Sequence, residues 1–235
     1  MKDTKIEWAD NTINFYIGCT KISAGCKNCY MFRLENRFGR NPGVIRKTNW
    51  QTIERNLKNW EPSKVFVNSM SDTFHESLNI DDVRDMFELM EKYPQHQYLI
   101  LTKRIQRAVN YQNHYKFKNN FWIGTSIESQ QHMTRLIDLS KIKSKVRFVS
   151  FEPLLNPITL AGREDNFIDW AIVGGESGYN PRLPERIAFV QLIYQLHIRK
   201  IPVFFKQWGG SKKCKCHGTY GCRLINDKTL DEMPI

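Results

Sequence analysis

Short apolar runs rich in β-branched and aromatic residues recur along the chain at 14–17, 64–67, 98–101, 121–123, 146–149, 170–173 and 202–205. Polar or amphipathic stretches of helical length separate them. Ile80, Val83, Phe87 and Met90 share one helical face behind an Asn79 cap, and 187–199 reads as another, largely buried helix. Strand alternating with helix predicts an α/β fold with a parallel sheet. Polar residues follow most runs directly: Gly18-Cys19-Thr20, Asn68-Ser69-Met70-Ser71-Asp72, Thr102-Lys103-Arg104, Gly124-Thr125-Ser126-Ile127-Glu128, Ser150-Phe151-Glu152-Pro153, Gly174-Gly175-Glu176-Ser177-Gly178 and Lys206-Gln207-Trp208. In a parallel barrel or open α/β sheet the carboxyl ends of all strands face one crevice, so these clusters are expected to share a site. The expectation is a partial (β/α) barrel of about six to seven parallel strands over 1–208, with a cysteine-bearing tail, 209–235, packed on it. No internal repeat, low-complexity tract or linker interrupts the pattern.

No run reaches the roughly 20 apolar residues of a membrane span, and the N-terminal residues lack a signal-peptide pattern. A cytoplasmic protein without membrane contact is expected. In that reducing setting the six cysteines are expected as thiols serving metal or redox chemistry. They fall in two clusters, Cys19, Cys26 and Cys29, then Cys214, Cys216 and Cys222. The net charge of +11 favours polyanions such as nucleic acids. It is uneven, because 101–147 holds ten basic residues against two acidic ones, a local +8. A solvated lysine-rich surface is the alternative reading of that run.

Cys19, Cys26 and Cys29 have C-x6-C-x2-C spacing. Three thiolates in one loop after a first strand can hold three irons of a four-iron cluster and leave the fourth open to a substrate or cofactor. A structural zinc is the competitor, and it needs a fourth ligand from the tail or from His75. His75 otherwise reads as a hydrogen-bonding surface or core histidine. Cys214, Cys216, His217 and Cys222 offer a possible second site for zinc or an iron–sulfur cluster. Glu152 and Glu176, as carboxylates at a barrel mouth, are catalytic candidates, with simple turn residues as the alternative. Lys206 and Trp208 can face a base or phosphate, or Trp208 can close the barrel as a bottom or lid.

Ile6-Glu7-Trp8, the cysteine loop, Asn68-Ser69-Met70-Ser71-Asp72-x-Phe74-His75, Phe151-Glu152-Pro153-Leu154-Leu155, Val173-Gly174-Gly175-Glu176-Ser177-Gly178, Phe205-Lys206-Gln207-Trp208-Gly209 and Asp231-Glu232-Met233-Pro234 together resemble the phage Gp37/Gp68 family. That family is similar to radical S-adenosylmethionine enzymes of the spore photoproduct lyase-like branch. The loop departs from the radical-enzyme pattern in having six residues between its first two cysteines and Asn28 before the third. The resemblance implies a [4Fe-4S] cluster on Cys19, Cys26 and Cys29, with S-adenosylmethionine on its open iron giving a 5′-deoxyadenosyl radical. It further implies Ser69, Ser71 and above all Asp72 at the cofactor's ammonium, Lys103 at its carboxylate, Thr125, Ser126 and Glu128 at its ribose or amino group, and Tyr30 beside them. The expected substrate is a nucleic acid or nucleotide, and the expected reductant a flavodoxin or ferredoxin. The alternative is a zinc-binding, non-catalytic nucleic-acid-binding protein.

Overall fold

Alternation within each strand sorts side chains to two faces, and both faces here are apolar, as a sheet covered on both sides requires. The computed structural model describes residues 4–160, 162, 167–214 and 221–234. Seven parallel strands lie side by side in chain order and curl into a half-barrel: β1 (Asn11–Ile13), β4 (Lys64–Val67), β5 (Gln97–Thr102), β6 (Phe121–Ser126), β7 (Arg147–Leu154), β8 (Trp170–Gly175) and β9 (Val203–Gln207). Between β1 and β4 the chain makes the cysteine loop, helix α1 (Tyr30–Arg37), a small antiparallel pair of β2 (Tyr16–Ile17) with β3 (Arg46–Lys47), and α2 (Trp50–Asn59). Helices α3 (Ile80–Glu91), α4 (Ile105–Tyr111), α5 (Thr134–Ser140) and α6 (Arg186–Ile198) follow β4, β5, β6 and β8. A glycine is required at Gly18, just before the first cysteine. Its φ is +114°, and a Cβ there would meet the Val44 carbonyl oxygen at 2.3 Å.

The convex face packs Val65, Tyr98, Phe121, Phe151 and Phe205 against the helices. On the concave face Phe66, Leu99, Trp122, Phe148, Trp170, Ile172 and Phe204 form a second cluster, closed by Trp8 and Ala9 from before β1 and by Met233 from the tail. The segment around 230–232 runs along the outer edge of β9, where Phe205 N–H donates to Leu230 O at 2.8 Å and Glu232 N–H to Val203 O at 3.2 Å. This aromatic layer is the floor of the half-barrel. Above it, at the carboxyl ends of the strands, the interior is open.

Three expectations need correction. The run 14–17 is not the first sheet strand; the less apolar 11–13 is, because Asn11, Thr12 and Ile13 pair with Val65, Phe66 and Val67, while Tyr16 and Ile17 turn away to Lys47 and Arg46. Helix α6 is buried on one face only: Phe189, Leu192 and Leu196 point inward, whereas Ile187, Val190, Tyr194 and Ile198 are exposed. Trp208 is neither bottom nor lid, since it packs on Phe189 and Phe205 of the convex core and donates to Leu224 O at 2.9 Å.

Candidate functional site

The polar strand ends converge as the parallel topology demands. A cavity of about 460 Å³ is lined by Cys19, Cys26, Cys29 and Tyr30 from the loop and α1, and by Ser69, Ser71, Asp72, Lys103, Ser126, Ser150, Glu152, Glu176 and Lys206 from the ends of six strands. Ile6, Trp8, Phe66 and Leu101 supply its apolar base. Thr125 and Glu128 do not line it. Thr125 is buried and donates to Thr102 O at 2.8 Å.

Three carboxylates at strand ends anchor the cysteine loop. Asp72 accepts from Thr102 Oγ1 at 2.7 Å, Lys103 N–H at 3.2 Å and Arg104 Nη1 at 3.2 Å. Arg104 in turn donates to Thr20 Oγ1 at 2.8 Å and to Cys19 Sγ at 3.7 Å, which fixes the first limb of the loop. Glu128, fully buried, accepts from Ser23 Oγ at 2.5 Å and Arg135 Nη1 at 2.8 Å, with Lys103 Nζ at 3.7 Å. Gly25 lies directly on this carboxylate: a Cβ there would be 2.5 Å from Glu128 Cγ. Glu176 accepts from Asn28 Nδ2 at 2.9 Å and is gripped by the Arg182 guanidinium, which also donates to Ala24 O at 3.0 Å. Arg104, Arg182, Ser23, Gly25 and Asn28 carry this anchoring, a role that the sequence assigns to none of them. The only signal for Arg104 is a second basic residue directly after a strand.

The electrostatics follow from these pairings. Burial and the Asp72 carboxylate push the Cys19 thiol up to about 11, with Arg104 working against them. Burial also opposes ionisation of Cys26, but the Lys103 ammonium and hydrogen bonds from the loop outweigh it and bring that thiol below its ordinary range. Burial likewise works against the Glu128 and Glu176 carboxylates; Lys103 with Ser23 and Arg135, and Arg182 with Asn28, hold them below the usual carboxylate range. At the ends of β7 and β9 Lys206 Nζ meets Glu152 Oε1 at 3.0 Å, and Ser150 Oγ donates to Glu152 Oε2 at 3.1 Å. Burial would lower the Lys206 ammonium, yet Glu152 and Glu7 raise it, so it stays charged. Tyr30 donates to Ser69 O at 2.5 Å.

His75 does not line the cavity. It is buried, and its Nε2 meets Thr20 N–H at 3.1 Å, so it braces the same limb of the loop that Arg104 holds. Of the second cysteine cluster, Cys216 and His217 lie outside the described residues. Cys214 is disulfide-bonded, where a thiol was expected, and the Cys222 sulfur accepts from Leu224 N–H at 3.4 Å.

The donor set is three thiols, which either zinc with a further ligand or an iron–sulfur cluster accepts. Cys19, Cys26 and Cys29 are all free of disulfides and line one cavity. Among the described residues no three Cys, His, Asp or Glu groups gather as one metal ion requires. Zinc needs four donors converging on one point, whereas a four-iron cluster takes one thiolate per iron and leaves one iron open when three are supplied.

Two solved structures are similar to part of this chain. A cysteine-to-serine mutant of spore photoproduct lyase is 15% identical, over 74% of this chain and 58% of that chain, with a TM-score of 0.48. A tyrosine-to-phenylalanine mutant of spore photoproduct lyase is 14% identical, over 83% and 63%, with a TM-score of 0.45. The chain thus spans less than two thirds of either protein. No curated protein matches it, and none of these comparisons carries the Gp37/Gp68 name. The model of one family covers residues 3–234, nearly the whole length, and the chain belongs to that family, described as protein of unknown function (DUF5131).

Proposed function

We propose that the chain is a radical S-adenosylmethionine enzyme acting on a nucleic acid or nucleotide. The observation that carries this reading is the placement of three disulfide-free cysteines on the same cavity as the polar ends of six parallel strands. Cys19, Cys26 and Cys29 would hold a [4Fe-4S] cluster, and Ser69, Ser71, Lys103 and Ser126 line the space beside them for the cofactor. When bound, cluster and S-adenosylmethionine supply one-electron reductive cleavage of a sulfonium carbon–sulfur bond. The chain's own residues bind, orient and shield. Asp72, Glu128 and Glu176 hold the loop, and the aromatic floor excludes water from below. Lys206, kept charged by Glu152, presents an ammonium to an anionic or polar substrate in the cavity. A cavity of about 460 Å³ suits small-molecule ligands, so a polymeric substrate would enter by a single residue. A ferredoxin- or flavodoxin-type donor would supply the electron.

The test is anaerobic reconstitution with iron and sulfide, followed by metal analysis and measurement of 5′-deoxyadenosine released under dithionite. About four irons per chain, lost when Cys19, Cys26 or Cys29 is replaced by alanine, is the expected result. Stoichiometric zinc with no iron uptake would overturn the reading in favour of a non-catalytic zinc protein.

A further inference from the structure

Arg104 touches a loop cysteine and the ends of two strands at once. Its side chain is only 4% exposed, and every guanidinium N–H has a partner. Nε–H is shared between the Glu76 oxygens at 2.8 and 2.7 Å. Nη1 donates to Asp72 Oδ2 at 3.2 Å and to Cys19 Sγ at 3.7 Å, and Nη2 donates to Thr20 O at 3.3 Å and Thr20 Oγ1 at 2.8 Å. Five donors in a rigid plane are matched one by one, which a lysine ammonium with three donors on a flexible stem cannot do. Arg104 acts on Cys19 by its charge, which Asp72 opposes, and by a directed N–H aimed at sulfur, and only the second is lost when a lysine keeps the charge. Hydrogen bonds to cluster sulfurs favour the reduced state, because they stabilise the added negative charge.

We infer that Arg104 is a positioning residue for the cluster, holding the Cys19 limb of the loop and raising the cluster's reduction potential through its Nη1–H···Sγ bond. The inference rests on the cluster reading above. Its test is a redox titration followed by electron paramagnetic resonance on anaerobically reconstituted wild type, Arg104→Lys and Thr20→Val, with iron content measured on each sample. Arg104→Lys is expected to keep most of its iron and to show a lower midpoint potential. Thr20→Val removes a loop anchor but leaves the sulfur bond, so its midpoint is expected to stay at the wild-type value while its metal-free melting temperature falls. An unchanged midpoint in iron-loaded Arg104→Lys overturns the inference and leaves the functional reading standing, as does an equal fall in Thr20→Val. A wild type that takes up no iron removes the functional reading itself, and the inference with it. Should Arg104→Lys fail to fold, wild type labelled with 15N-arginine decides: a hyperfine coupling between the reduced cluster and a guanidinium nitrogen is expected, and its absence overturns the inference.

Discussion

Glu128 is sealed from water yet stays ionised, because Ser23, Lys103, His132 and Arg135 surround it. Glu128→Gln keeps the shape and removes the charge those cations face. Breaking such a buried pair costs about 3–5 kcal/mol, a fall in melting temperature on the order of 10 °C for a chain of this size, and calorimetry checks it. The same variant tests the acid limb of stability. The folded carboxyls of Glu76, Glu128 and Glu176 titrate below their ordinary value of 4.5. The stability they contribute is therefore present above pH 4.5 and lost as pH falls through the folded values. His75 and His132, lowered by burial below their ordinary 6.5, add a loss of the same sign that begins nearer neutrality. Glu128→Gln should flatten the acid limb, and an unaltered limb would show that Glu128 does not carry it. Gly25→Ala drives a methyl into this pinned carboxylate, and an overpacked site of this kind costs about 1–3 kcal/mol. Lower thermal stability and reduced iron uptake are the expected measurements.

Most strands were legible because the signal they leave is local. Lys64–Val67 stands where its β-branched residues put it, and the later runs shifted by only one or two residues or lengthened toward the cavity. The first strand was misread because an edge strand needs backbone pairing more than apolar content, so Asn11-Thr12-Ile13 could outcompete the greasier 14–17. Helix α3 was legible from its cap. Asn79 and Asp82 form a reciprocal capping box with bonds of 2.8 and 3.1 Å. Asn79→Ala should cost about 1 kcal/mol and move the melting temperature by about 2–4 °C; a neutral result would mean that packing alone fixes this end. The convergence of polar strand ends on one cavity followed from parallel topology. The roles within it did not, because whether Glu128 faces the cavity or lies beneath the loop depends on Gly25 and Ser23, which sit more than a hundred residues away. No period or spacing in the chain encodes that contact.

At the scale of the molecule the positive charge of 101–147 divides between two ends. Lys103 and Arg104 sit at the cavity, whereas Lys116, Lys118, Lys141, Lys143 and Lys145 precede β6 and β7 and so lie at the opposite end of the sheet, exposed on loops that Gln112 ties together. Charge reversal at Lys141, Lys143 and Lys145 is therefore expected to leave iron uptake at the mouth untouched. If nucleic acid is held at that end, the salt slope of binding should drop by about 2–3 on duplex DNA. An unchanged slope would place the polyanion contact elsewhere.

The floor has a consequence for how the chain assembles. Trp8 and Trp122 each meet Trp170 edge-on, with ring centres 6.3 and 6.2 Å away, and the Trp170 indole N–H donates to Glu232 O at 2.8 Å. Residues 6–9 and 231–233 thus close on one cluster around the same indole, a contact between segments more than two hundred residues apart that cannot form until both have been synthesised. Three tryptophans make this closure visible as light. A chain shortened to end at Trp208 is expected to emit further to the red and to melt earlier, since the Trp170 and Trp208 indoles both lose their acceptors and a buried donor left unpaired costs about 1–3 kcal/mol. Clipping the residues before β1 removes Trp8 itself and uncovers Trp170 from its other neighbour, so the emission of Trp170 reports the loss of either segment.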